Sequence, residues 1–260
     1  MAKPCIIVFG NEKGGTGKST ICMHIAMYFL REGAAVGTID VDARQGTLTR
    51  YVSNRLIFIK EKQTSLAVPK HFSVHKSGRE NLKSAEQEEQ ENFVSALQQL
   101  EGYDFILIDT PGNDVFLSRL AHSYADTIIT PLNDSFVDLD MLVRADGNNL
   151  SPSLYSEMVW EQRKVRMARE KRSIDWIVMR NRLTNLYSHN RGKVEEVLSA
   201  LAKRIGFRLA TGFNERVIFR ELFVSGLTLL DFEAINRELT ISHVAAKQEL
   251  RDLIGMINAK

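Results

Sequence analysis

Residues 10–20 read Gly10-Asn11-Glu12-Lys13-Gly14-Gly15-Thr16-Gly17-Lys18-Ser19-Thr20. The glycines let the backbone curl so that several N–H groups point at one anion. The run lies between a short apolar stretch and a segment of helical spacing, the context in which such a loop binds phosphate. The helix start adds the positive end of its dipole. Lys18 brings a mobile point charge for β- and γ-phosphates, and the Ser19 hydroxyl can ligate Mg²⁺. Thr20 can bond the α-phosphate. The expected ligand is a nucleoside triphosphate with Mg²⁺, held by Gly14, Gly15, Thr16, Gly17, Lys18, Ser19 and Thr20. A plain Gly-rich turn is the competing interpretation.

Two further carboxylate groups end apolar runs, where an open α/β sheet places its ligands. Ile39-Asp40-Val41-Asp42 closes one, and Phe105-Ile106-Leu107-Ile108-Asp109 closes another, followed by Thr110-Pro111-Gly112. Asp109 is expected to hold Mg²⁺ through water. Gly112 can present its N–H to the γ-phosphate and move with nucleotide state. One aspartate after a strand is often only a helix cap; two such sites joined to a phosphate loop reverse that judgement.

These residues need a scaffold of alternating strands and helices. Residues 4–9 form a continuous apolar run, which suits a buried parallel strand. Residues 18–32 have helix spacing, with Ile21, Ile25 and Phe29 on one face and Gly33 closing it. Strands are expected at 35–39, 105–108, 127–130 and 176–179. Helices are expected at 43–58, 84–100, after Pro152, at 190–204 and at 240–257, with 60–83 as a loop or insertion. The alternation gives an α/β doubly wound, mostly parallel sheet flanked by helices. With no repeat and no clean linker, residues 1–260 are expected to form one domain.

Composition narrows the class. Of 260 residues, 44% are hydrophobic, 25% are charged and five are proline, a globular rather than disordered balance. The apolar stretches fall short of the ~18–20 residues that cross a bilayer. The start of the chain has no leader pattern, so a cytoplasmic protein without a membrane partner is expected. Cys5 and Cys22 lie in apolar patterns and are expected to be buried reduced thiols. The net charge of +2 hides an asymmetry, because residues 160–220 hold fifteen Lys/Arg against six Asp/Glu. That stretch is either a solvated face or a surface for an anionic partner. His71 and His75 have the spacing of a helical metal pair but no third ligand nearby, so no metal role is expected. Trp160 and Met167 are expected to pack. In the last helix Leu250, Leu253, Ile254 and Ile257 share a face. Its polar face mixes Glu249 and Asp252 with Lys247 and Arg251, poor chemistry for anionic lipid.

Lys13-Gly14-Gly15-Thr16-Gly17-Lys18-Ser19 resembles the deviant Walker A motif of the partition and division-site ATPases and the nitrogenase iron protein. The resemblance implies that Lys13 reaches across a two-fold interface to the partner's nucleotide and that Asp42 orients the attacking water. Lys13, Lys18 and Asp42 are thus the implied catalytic set. It also implies that Asn181, at the end of the fifth expected strand, meets adenine; a turn residue is the alternative. No guanine-reading N/T-K-x-D loop is present. Neither cysteine follows a switch strand, which excludes an iron–sulfur reductase.

Further stretches resemble the MipZ family, among them Thr130-Pro131-Leu132-Asn133-Asp134-Ser135-Phe136-Val137-Asp138, Arg180-Asn181-Arg182-Leu183 and Arg216-Val217-Ile218-Phe219-Arg220-Glu221-Leu222-Phe223. The likeness runs over nearly the whole chain and is weakest at 52–92. It implies an ATP-driven homodimer that binds nucleoid DNA without sequence preference and blocks FtsZ polymerisation. The polar partner ParB would recruit monomers, and hydrolysis would dissolve the dimer. Arg191, Lys193, Lys203, Arg204, Arg208, Arg216 and Arg220 are the candidate phosphate contacts, unless they cap helices or pair with Glu195, Glu196 and Glu215. No helix-turn-helix or zinc pattern predicts base readout. A ParA-type partition ATPase and a MinD-like membrane-bound regulator remain alternatives.

Overall fold

The structure, a computed structural model, describes residues 3–42, 45–133, 135–146, 149–183 and 188–257. The side chains of 136–137, 145–146, 149–150 and 188–193 fall outside that description. Continuous Ile/Val/Leu runs become strands covered on both faces. In β1 (Cys5–Phe9), Ile6 and Val8 enter one hydrophobic cluster while Ile7 and Phe9 enter the other. A strand buried on both sides has no polar alternation to show, as its sequence predicts.

The chain continues through α1 (Lys18–Arg31), β2 (Val36–Asp40), α2 (Thr47–Lys62), β3 (Lys70–Ser73), α3 (Leu82–Gln98), β4 (Phe105–Asp109) and α4 (Phe116–Tyr124). Then come β5 (Thr127–Asn133), a short α5 (Phe136–Leu139), the antiparallel hairpin β6 (Val143–Asp146) with β7 (Asn149–Pro152), and α6 (Leu154–Glu170). β8 (Asp175–Asn181), α7 (Ser188–Leu201), a π-helical turn at Ala202–Gly206, β9 (Arg208–Ala210), α8 (Ile218–Val224) and α9 (Ile241–Gly255) complete the order. Seven strands form one parallel sheet in the order β3-β2-β4-β1-β5-β8-β9. The sheet therefore grows outward on both sides of β1, and the crevice at its carboxyl edge opens at the residues that follow β1.

One face of the sheet buries Phe93 of α3, Leu117 and Ala121 of α4, Val159 of α6 and Leu198 of α7. The other buries Ile21 and Ile25 of α1, Leu48 and Tyr51 of α2, and Leu250 and Leu253 of α9. The last helix is thus a packing element whose apolar face is used inside the fold. Arg55 of α2 ties the segment before α9 to the body: its guanidinium donates to both oxygens of Asp231, at 2.6 and 2.8 Å, and to the carbonyls of Ala67 and Gly226. Removing one partner of such a buried pair costs about 3–5 kcal/mol.

Several expectations need correction. Residues 60–83 contain β3, an edge strand paired to β2 from Lys70↔Gly37 to Ser73↔Asp40. An edge strand is only half covered, so its mixed polarity hides it. His71 accordingly lies on a strand, not a helix, where its ring nitrogens meet Thr38 Oγ1 at 2.9 Å and Thr49 Oγ1 at 3.0 Å. β6, β7, β9, α4, α5 and α8 were not expected; most are too short for a periodic pattern. Trp160 packs as expected, its Nε1 donating to the Ile205 carbonyl at 3.0 Å, but Met167 is 45% exposed. Among the described residues no helix is long and apolar enough to cross a membrane, and no group of three or more His, Cys, Asp or Glu is arranged for a metal ion.

Candidate nucleotide-binding site

The loop between β1 and α1 is fixed first by Asn11. This buried side chain donates to the Pro131 carbonyl of β5 at 2.6 Å and accepts from Lys13 N at 2.6 Å. The loop then turns through Gly15 (φ +74°) and Gly17 (φ +92°), left-handed conformations that favour glycine. A Cβ on Gly17 would lie 2.3 Å from Asn181 Nδ2. Asn181 itself donates to the Thr16 carbonyl at 2.7 Å. The end of β8 therefore touches the phosphate loop, and the two predicted ligand residues form one wall.

Lys18 Nζ curls back to donate to the carbonyls of Asn11, at 3.0 Å, and Lys13, at 3.1 Å. Burial pushes its pKa down, against the opposing pull of Asp109 and Asp42. The Ser19 hydroxyl donates to Asp109 Oδ2 at 2.5 Å. Asp109 is buried, and its pKa is pushed up to about 8, first by burial and then by the neighbouring charge of Asp40. Its Oδ1 and the Thr16 hydroxyl oxygen are both buried without a protein partner. A hydrated divalent cation beside a polyphosphate is the chemistry that satisfies such atoms, so the residues present fit Mg²⁺. A cation here would return the carboxylate to its ionised form.

The carboxylates after β2 divide their work. Asp40 is fully buried and accepts from Asp42 N, Thr49 N and Thr49 Oγ1, each at 2.9 Å. It holds the start of α2. Asp42 is half-buried at the cavity that the loop opens onto, with its pKa raised by burial and opposed by the Gln45 backbone N–H. Gly112, in the loop after β4, packs against the phosphate loop; a Cβ there would lie 3.0 Å from Gly14 N.

Two adjoining cavities complete the site. The first, about 940 Å³, is lined by Gly14–Thr20, Asp42 and Gly112. The second, about 410 Å³, is lined by Ile21, His24, Asn181, Phe213, Phe219 and Phe223. They share Gly17, Thr20, Thr47 and Arg182. One is polar and suits phosphates; the other is aromatic-walled and suits a base. His24 is neutral there, its pKa pushed down to about 4 by burial despite its hydrogen bond with the Thr20 carbonyl. Phe213 was not foreseen, and Arg182 and Phe219 were quoted only for their resemblance, with no place at the site. Only the i, i+4 spacing of Phe219 and Phe223 hints at a wall.

Lys13 is held within its own chain, by Asp138 at 2.9 Å. Asp138 was quoted only for its resemblance; its partner was not foreseen. The basic candidates scatter. Arg216 forms a two-pronged ion pair with Glu249 of α9, at 2.5 and 2.8 Å, and its side chain is 10% exposed. Arg208 is paired with Asp175, and Arg220 with Glu215 at 2.8 Å, while Arg220 stays 69% exposed. Pairing with Glu215 was among the alternatives; that with Glu249 was not. Lys203 and Arg204 are exposed on the π-helical turn. Arg191 and Lys193 fall in α7, but their side chains lie outside the described residues.

The fold has several solved counterparts. A McdA variant from Cyanothece in complex with ATP aligns over 96% of this chain and 98% of that one, with TM-score 0.61 and 17% identity. A putative plasmid partition protein from Borrelia burgdorferi B31 bound to AMPPNP aligns over 98% and 100%, with TM-score 0.59 and 17% identity. The MinC:MinD complex from Aquifex aeolicus gives TM-score 0.58 and 16% identity over 97% of this chain and 96% of that one. A curated relative, the putative septum site-determining protein MinD of Chlorella vulgaris, is 28% identical over 149 residues, which cover 48% of this chain and 50% of that protein. Thus the chain spans about half the length of the curated relative it matches. The sequence profile of ATPase MipZ matches residues 5–260, so this chain belongs to the MipZ ATPase family.

Proposed function

We propose that this chain is a cytoplasmic ATP-hydrolysing switch that positions the division site by cycling between monomer and homodimer. Gly14, Gly15, Thr16, Gly17, Lys18 and Thr20 hold the phosphates, and Asn181 with the Phe213–Phe219 wall holds adenine. Ser19, and Asp109 through water, hold Mg²⁺, which when bound supplies charge neutralisation between the terminal phosphates. Asp42 orients the attacking water, and Gly112 carries the presence of a γ-phosphate to the loop after β4. Lys13 crosses to the partner's nucleotide in the dimer.

The dimer binds nucleoid DNA without sequence preference and opposes FtsZ polymerisation, while ParB recruits monomers at the poles. Lys203, Arg204 and Arg220 are its exposed phosphate contacts, with Arg191 and Lys193 as further candidates. Arg208 and Arg216 serve more as struts. The observation that carries this reading is Lys13, a cation with no task in an ordinary phosphate loop, which stands beside the cradle and pairs with Asp138 at 2.9 Å. Leu250 and Leu253 are buried in the core, so α9 spends its apolar face inside the fold rather than on a lipid surface.

Light scattering of the protein with ATP and with ADP, each with Mg²⁺, tests the switch. A mass that doubles with ATP alone is expected; an unchanged mass in both overturns it. Sedimentation of FtsZ filaments with the ATP-loaded protein separates this role from that of a partition ATPase, which would leave FtsZ assembly intact.

A further inference from the structure

The sheet has a second charged crevice, at the end away from the phosphate loop. It is a cleft of about 620 Å³ whose lining includes Lys3, Arg163, Lys171, Arg172 and Arg208, with Asp126 and Asp175 as the only carboxylates among its described lining residues; Lys3 is paired with Glu170 at 2.5 Å. Thr127 and Asp175, which begin β5 and β8, are register partners at its floor. A strand of five residues such as β1 puts roughly 15–20 Å between this edge and the nucleotide site.

Both carboxylates are already compensated. Asp126 binds the guanidinium of Arg166 and the Ile6 N–H, and Asp175 binds Arg208. Lys171 and Arg172 have exposed side chains with no hydrogen bond or ion pair among the described residues. Lys171 takes a left-handed conformation (φ +56°) that ends α6 and turns the chain along the cleft. Arg163 lies over the Trp176 ring, 5.6 Å from its centroid, donates to the Gly206 carbonyl at 2.8 Å and keeps a buried Nε without an acceptor. Through Gly206 the cleft continues to the π-helical turn with Lys203 and Arg204.

We infer that this cleft is a phosphodiester-binding groove for nucleic acid, continuous with Lys203 and Arg204. Arg163, Lys171 and Arg172, which form no ion pair among the described residues, line one open cleft that leads through Gly206 to Lys203 and Arg204. Cations strung along a cleft in this way suit a charged backbone better than a single small anion. No recognition helix projects there, so the contact is to backbone rather than bases. The inference rests on the DNA reading above and adds to it a surface that nucleotide does not touch. A monomer with ADP therefore keeps a weak, salt-sensitive grip on DNA, and the ATP dimer carries two such grooves.

The test compares the native chain with Lys171→Glu/Arg172→Glu and with the conservative Lys171→Arg/Arg172→Lys. Binding of two unrelated DNA duplexes is measured across a salt series with ATP and with ADP. Phosphatidylglycerol vesicles are the second probe, and thermal melting checks the fold. The charge reversal is expected to weaken both duplexes equally, by about tenfold or more at low salt, and to lower the log–log salt slope by about one to two. It should abolish the weak binding with ADP, while the conservative variant binds as the native chain does. Native affinity and slope in the charge-reversed protein would overturn the groove while leaving the DNA reading intact. No binding of the native chain to either duplex overturns both. Loss of vesicle binding with DNA binding unchanged would assign the cleft to lipid and overturn it as well.

Discussion

Lys13 and Asp138 are joined across 125 positions of sequence by an ion pair of 2.9 Å between Nζ and Oδ1. The other oxygen of Asp138 accepts the Asn133 N–H at 2.9 Å, so the carboxylate is fixed by β5. A lysine that must serve a second copy of the chain has to leave this partner first. Lys13 is 34% exposed in its side chain, so the pair contributes no more than about 1 kcal/mol. Asp138→Asn keeps an acceptor for Asn133 and removes the charge. It is expected to strengthen ATP-dependent dimerisation by about fivefold per lysine released, read by analytical ultracentrifugation. Lys13→Ala should stay monomeric with ATP while still binding nucleotide. Weaker dimerisation of Asp138→Asn would mean that the pair supports the dimer rather than restraining it.

The two aspartates at the end of β2, Asp40 within it and Asp42 just beyond, should respond differently to the same substitution. Asp40 accepts three hydrogen bonds that fix the start of α2, so Asp40→Ala should lower stability by about 1–3 kcal/mol in urea unfolding. Asp42 opens onto the phosphate cavity and carries little of the fold. Asp42→Ala should unfold near the native midpoint, bind ATP, dimerise and stay dimeric, with turnover reduced by about a hundredfold or more. Native turnover in Asp42→Ala would assign the water to another group.

The candidate site residues were legible because their order is local. A phosphate loop is written in eleven consecutive positions, and Asp42 and Asp109 are marked by the apolar strands that precede them. The central strands were legible for the same reason, since burial on both faces leaves an unbroken run. What was not legible depends on distance in sequence. Phe213 and Phe219 come to line one cavity with Asn181 only because β8 and β9 pair. Asp138 meets Lys13 because β5 lies next to β1. Arg216 looked like a surface cation, yet it faces Glu249 of a helix 33 positions later. Charge counts along a chain cannot show such a pairing.

Two buried histidines give the fold an acid limit. His24 and His122 both have pKa values pushed down from 6.5 to about 4, chiefly by burial. Each is neutral in the native state, whereas the unfolded chain takes up its proton near pH 6.5. The stability that these two histidines contribute is therefore complete above about pH 6.5 and falls as the pH drops towards 4, by roughly 1.4 kcal/mol per pH unit for each, while Asp109, protonated in the folded state up to about pH 8, slopes the opposite way. Urea midpoints at neutral pH and at pH near 5 measure the slope. His122→Gln should make it shallower by roughly 1.4 kcal/mol per pH unit, since one group that takes up its proton only on unfolding is gone. An unchanged slope would place the acid sensitivity in other groups.

The wall between the phosphate loop and the base pocket can be tested by a cycle of two small changes. Asn181 donates to the Thr16 carbonyl at 2.7 Å, and its Nδ2 fills the space that a Cβ on Gly17 would need, 2.3 Å away. Asn181→Ala removes one hydrogen bond to the loop and the proposed contact to adenine. Affinity for a non-hydrolysable ATP analogue should fall by about tenfold. Gly17→Ala adds a methyl group at φ +92°, where an L-residue is strained, and drives Asn181 off the loop. Its loss should be larger, about a hundredfold. The double variant no longer contains the clash, so only the backbone strain and the missing amide remain. It should bind no worse than Gly17→Ala alone, giving a favourable coupling of about 1.4 kcal/mol between the two positions. Calorimetric titration of all four proteins measures that coupling. Strict additivity would mean that Gly17 and Asn181 act on the nucleotide separately, and that the wall is not a single unit.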